Sequence, residues 1–185
     1  MHYEHYYKWF ESTADEEHLA IRALQDGEFG QLAAALIEWL DSRSSVHPEM
    51  VFNIGCLFGL AQRVGIDRYI CHWLSDHFSS TRCQAAASFL RAYWSYFEDL
   101  NISYVEQFLG YLSKLPLGSD VDRDVSNMLA DLADPAVVKN LPDSKRMAWR
   151  ETLLDHLDQL ERTGISTGGY QPVIDLRQGA VRYFF

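Results

Sequence analysis

The sequence predicts an all-α single domain, and three observations carry that prediction. Apolar residues recur at the i, i+3, i+4, i+7 spacing of a helix face through most of the chain. Capping residues or Pro48 stand before several of these runs, and glycine or proline stands after them. Strand-like alternation is confined to the stretch after Gly164.

Taken in order, Tyr3, Tyr6, Tyr7 and Phe10 form one aromatic stripe, which predicts a short docking helix. Thr13 and Glu16 have capping-box spacing and Gly27 suits a left-handed exit, so a helix is expected over about 14–26. Phe29, Leu32, Ala33, Leu36, Ile37 and Leu40 mark the next one, and Pro48 opens another after the loop Ser42 to His47. That helix, about 48–63, is apolar on nearly every side through Val51, Phe52, Ile54, Leu57, Phe58 and Leu60, so it should lie centrally, with Gly65 ending it.

Ile66, Tyr69, Ile70, Trp73 and Leu74 define a further amphipathic helix, followed by one carrying Ala86, Phe89, Leu90, Tyr93, Trp94 and Phe97. Asn101 caps a helix with Ile102, Val105, Phe108, Leu109 and Leu112 inward, stopping before Pro116 and Gly118. Asp120 caps the next, whose inward face is Val121, Val125, Met128, Leu129 and Leu132 and which Pro135 breaks. Asp143 or Ser144 begins the last, running through Arg162 with Trp149, Leu153, Leu157 and Leu160 on its buried side.

The expected architecture is therefore a helical bundle or short α-solenoid of about eight to nine helices over residues 1–163. Residues 164–185 should form a non-helical tail packed on the same domain, in which Val173 to Leu176 and Val181 to Phe185 can pair as a small hairpin. A chain of 185 residues buries a core without disulfide or metal staples.

Composition narrows the setting. Cys56, Cys71 and Cys83 form no CxxC pair and fall in helical runs, as expected of reduced, packed thiols in a cytoplasmic protein. The polar-aromatic run His2 to Glu11 is not a secretory signal, and the apolar run Val51 to Ala61 is too short to span a bilayer. A net charge of −10 disfavours direct nucleic-acid or anionic-membrane binding and allows a basic protein partner.

Alternate helices start near Thr13, Pro48, Ser80 and Asp120, a spacing within reach of two-helix repeats. Leu132, Asp134, Pro135, Val138 and Lys139 resemble the turn of HEAT repeats, with Lys139 where the family has arginine. The arrangement thus looks like a short HEAT or armadillo-type protein, and such repeats serve as interaction surfaces. In size and acidity the chain also resembles bacterial immunity proteins and phage-encoded inhibitors, a likeness that implies protein-binding inhibition and assigns no individual residue.

The acidic residues form two patterns. Asp120, Asp122 and Asp124 imitate the start of a calcium loop, but Val125 stands where that loop needs glycine and Asp131 where it needs glutamate. Helical spacing accounts for them better: Asp120, Asp124, Asn127, Asp131 and Asp134 make one stripe. Glu151, Asp155 and Asp158 make a second on the last helix, with Glu161 beside it. Like charges at i, i+4 cost a few tenths of a kcal/mol, so stability alone would not choose them.

Other constellations read as structural. His72 and Asp76, with Cys71 and His77 nearby, lack a matching ligand cluster, and His156 falls on the apolar side of the last helix. The pair His2 and His5 sits on an end that frays. No Walker loop, GxGxxG, HExxH or GxSxG occurs, and neither a metal nor a cofactor is expected.

The leading expectation is a non-enzymatic inhibitor that occludes a basic effector, such as a nuclease or toxin, through an acidic helical face. Its partner-binding residues would be Asp120, Asp124, Asp131, Asp134, Glu151, Asp155 and Asp158. One alternative is a helical adaptor whose surplus aromatics, including Trp39, Trp73 and Tyr111, form the interface. The other is an enzyme whose site assembles from distant carboxylates and histidines in a helical pocket.

Overall fold

The described residues of the computed structural model are 4–11, 17–43, 47–96, 102–112, 114 and 143–162. Eight helices and no strand occur among them, as the periodicity predicts. They fall into two compact units, 1–97 and 98–185.

The first unit holds α1 (Glu4–Glu11), α2 (Glu17–Ala23), α3 (Asp26–Asp41), α4 (Pro48–Leu60), α5 (Ile66–Asp76) and α6 (Ser80–Trp94). The second holds α7 (Ile102–Leu112) and α8 (Asp143–Arg162). The caps explain several boundaries. Pro48 occupies the first turn of α4, where its missing N–H is not needed. Arg82 N–H donates to Ser79 Oγ at 3.2 Å, so Ser79 caps α6.

Two glycines act differently from expectation. Gly27 does not end a helix; it lies within the first turn of α3, where the Gln25 N–H donates to the Glu28 carboxylate at 3.0 Å. The Thr13–Glu16 capping box lies outside the described residues. Nor does Gly65 end α4, which stops at Leu60. The left-handed exit belongs to Gln62, with φ 54°, and Gly65, with φ 97°, stands at the start of α5. Gln62 holds that unusual conformation with its own side chain, whose amide donates to Gly59 O at 2.9 Å and Tyr96 O at 3.1 Å.

α4 is central to the first unit, packing on α6 along its length and also against α1 and α2. The α4–α6 crossing is close because Gly55 and Gly59 present bare backbone to it: a Cβ on Gly55 would stand 2.4 Å from Phe89 O and 2.9 Å from Ala92 Cβ. α6 answers with small side chains, since Ala85, Ala86, Ala87, Ser88 and Ala92 are all buried. Around this crossing Phe58 gathers Phe10, Phe29 and Phe89, with ring centroids at 6.5, 6.1 and 5.8 Å.

Each of three indoles joins this unit to a carboxylate about one helical hairpin earlier in the chain. Trp39 Nε1 donates to Glu11 at 3.5 Å, Trp73 Nε1 to Asp41 at 2.8 Å and Trp94 Nε1 to Asp67 at 3.4 Å. Arginine completes the first two sets. Arg43 pairs with Glu11 while lying over the Trp39 ring, and Arg82 pairs with Asp41 at 2.6 Å while lying over Trp73. Trp39 and Trp73, expected in one reading to feed an interface, are thus 0% and 4% exposed core residues. An indole can be buried only if its N–H finds an acceptor, and these carboxylates supply one.

In the second unit Val105, Phe108 and Leu109 of α7 and Leu153 and Leu157 of α8 are buried, on the faces that the spacing predicts. The helix expected after Asp120, the HEAT-like turn at 132–139 and the tail at 164–185 lie outside the described residues. None of the described helices is long and apolar enough to cross a membrane.

Candidate functional site

Two places among the described residues carry concentrated charge or polar chemistry: the outer face of α8 and a buried carboxylate at the start of α5.

On α8 the helical period separates acid from core. Glu151, Asp155 and Glu161 are exposed and Asp158 is half-buried, while Leu153 and Leu157 are fully buried. Three of the seven expected partner-binding residues, Glu151, Asp155 and Asp158, are therefore placed on one helix. Asp120, Asp124, Asp131 and Asp134 lie outside the described residues, as do the side chains of Trp149, His156 and Leu160. Arg146 and Arg150, both half-buried, precede these acids, while Asp143 opens the helix and Arg162 closes it, the terminal charges that the helix dipole favours.

The buried carboxylate is Asp67, 4% exposed, which the sequence reading did not single out. It lies in the first turn of α5, where the Arg68 N–H donates to its Oδ1 at 3.0 Å and Trp94 Nε1 to its Oδ2 at 3.4 Å. Burial raises its pKa above the usual carboxylate range, more strongly than these two donors and the Arg68 charge lower it. Two neighbours respond. Cys71, one turn on, is pushed up to about 12 by burial and by the Asp67 charge. Tyr93 is also raised by burial and that charge, and its hydroxyl donates to Arg63 O at 2.9 Å.

Chemically this cluster is a closed polar knot. Thiols held protonated are poor nucleophiles, and a carboxylate 4% exposed meets no substrate without an opening of α5 from α6. Its signal in the sequence was weak, because Asp67 reads as an ordinary first-turn acid on an amphipathic helix.

The linkage has a definite sign. A carboxyl whose folded pKa is raised stabilises the fold below its unfolded pKa and loses that contribution as pH climbs through the folded value. Asp67→Asn, which stays neutral, should therefore flatten the stability profile from about pH 4 upward, while its amide nitrogen, replacing one of two acceptor oxygens, lowers the melting temperature by a similar amount at every pH. Parallel profiles for parent and variant in thermal melts across that range would contradict the raised pKa.

The remaining polar sites are structural or peripheral. His72 and Asp76 stand 3.8 Å apart with exposed side chains, and among the described residues no group of three histidines, cysteines or acids could hold a metal. Cys71 and Cys83 are buried and Cys56 half-buried, all three as free thiols. Cys83 is pushed up to about 12 by burial alone. No family model, curated protein or solved structure matches the chain.

Proposed function

We propose that the chain is a non-enzymatic binding protein that uses the acidic outer face of α8 to engage a basic protein, and that it inhibits a basic effector such as a nuclease. The observation that carries this reading is the placement of Glu151, Asp155 and Glu161 in solvent on a helix whose Leu153 and Leu157 are fully buried. Like charges at this spacing oppose one another, which suits a role in long-range attraction. The net charge of −10 extends that attraction beyond a single helix.

The adaptor reading loses two of its three named aromatics, since Trp39 and Trp73 are committed to the core and only Tyr111 keeps partial exposure.

Titration of the chain into a panel of small basic nucleases tests the proposal through loss of DNA hydrolysis. Inhibition should be stoichiometric, with an association rate that falls steeply as ionic strength rises. Glu151→Lys, Asp155→Lys and Asp158→Lys combined should slow association by about tenfold or more and leave the melting temperature within a few degrees of the parent. A panel without inhibition would remove the inhibitor reading. Inhibition that is equally fast in the triple variant would remove α8 from it.

A further inference from the structure

The exposed apolar side chains of the first unit gather at one corner. Leu19, Leu60, Val64 and Tyr96 are the large hydrophobic residues found exposed among those described, at 54%, 38%, 75% and 38%. Hydrogen bonds and packing bring them together around the α4–α5 turn. Arg22 of α2, one turn beyond Leu19, donates to Ala61 O at 3.2 Å and Leu60 O at 3.3 Å. Tyr96 lies against Gly59, where an added Cβ would meet its ring at 2.7 Å, and its carbonyl accepts from Gln62.

Scattered single hydrophobics on a surface need no explanation, but their concentration at one corner marks an interaction site. The turn that presents Val64 is also held in place. The left-handed Gln62 is braced by two bonds from its own amide, and the Arg63 carbonyl is fixed by the Tyr93 hydroxyl. A pre-ordered tip loses little entropy when it binds.

The charge at this corner opposes that of the chain as a whole. Arg22 and Arg68 flank the turn with exposed side chains, while Arg63 within it is neutralised by Asp26 at 3.1 Å. The two exposed arginines stand in a protein of net charge −10. Arg63 and Arg68 are further fixed over aromatic rings, at 4.6 Å from the centroid of Phe29 and 5.1 Å from that of Tyr69.

From this juxtaposition we infer a second binding surface, independent of the acidic face of α8. It takes a peptide segment of a partner protein in which aliphatic or aromatic residues are flanked by carboxylates. The apolar residues cover Leu19, Leu60 and Val64. The carboxylates meet Arg22 and Arg68, whose exposed guanidinium N–H groups donate to them.

Selection of a random peptide library against the full chain tests the inference, with binders then synthesised and titrated by methyl-detected NMR. The expected binders are net negative with apolar anchors, and they shift the methyl resonances of Leu19, Leu60 and Val64. Val64→Asp and Arg68→Glu change exposed side chains and should keep the parent's melting temperature while weakening these peptides by about tenfold or more. Binders that are basic or neutral, binders whose shifts fall elsewhere, or a library that yields none would each overturn it. So would a concentration-dependent dimer of the chain that Val64→Asp dissociates, because the corner would then be occupied by a second copy.

Discussion

Phe58→Ala is expected to destabilise the first unit by about 3–5 kcal/mol, seen as a fall of its denaturant midpoint or as failure to fold. The side chain is fully buried and touches aromatic rings from three other helices, Phe10 of α1, Phe29 of α3 and Phe89 of α6. Its removal therefore opens a cavity that no single neighbour can refill without leaving its own partners. Phe10 stacks edge-on to Trp39, and Phe89 stacks on Tyr93, so movement of either would disturb a second contact. Phe58→Leu keeps most of the volume and should recover more than half of the loss. Equal midpoints for parent and Phe58→Ala would mean that the α4-centred core is wrongly placed.

This central position was legible in the sequence, because a run from Val51 to Leu60 that is apolar on nearly every side has little polar surface to turn to solvent. The inward faces of α5, α6, α7 and α8 were legible for the same reason, since the 3.6-residue period needs only local information. The ends were harder to read. Gly27 and Gly65 each looked like the end of a helix, yet one lies inside α3 and the other opens α5, while Gln62 makes the left-handed exit of α4. Glycine tolerates that conformation without requiring it. Gln62 requires a partner one helix away, the Tyr96 carbonyl, which no local pattern reveals.

The candidate sites divide in the same way. Acid on the outer face of α8 follows from spacing alone, and Glu151, Asp155 and Asp158 were legible. Asp67 was not, because its burial depends on Trp94, 27 residues away on another helix. Trp39 and Trp73 misled the adaptor reading for a related reason. Aromatic surplus looks like surface until each indole N–H is seen to reach a carboxylate at the edge of the core, Glu11 or Asp41. The apolar corner was equally hidden, since Leu60 belongs to the most apolar helix and reads as core.

Gly55→Ala should be among the most damaging single-methyl changes in the chain. Alanine ordinarily stabilises a helix interior over glycine by about 1 kcal/mol, and Gly27→Ala, in the first turn with nothing within 4 Å of its added Cβ, should show part of that gain. At Gly55 the same methyl would stand 2.4 Å from Phe89 O and 3.1 Å from Phe89 C, which are backbone atoms and cannot rotate away. α4 and α6 would have to separate, and the cost of such overpacking, about 1–3 kcal/mol or more, exceeds the helix gain. Separation would also loosen the Phe58–Phe89 contact, so the loss should couple to that of Phe58→Ala in a double-mutant cycle. Thermal or denaturant melts of both glycine variants decide it: opposite shifts are expected, Gly27→Ala upward and Gly55→Ala downward. Equal upward shifts would show that the α4–α6 crossing has room for a methyl group and that its closeness does not depend on glycine.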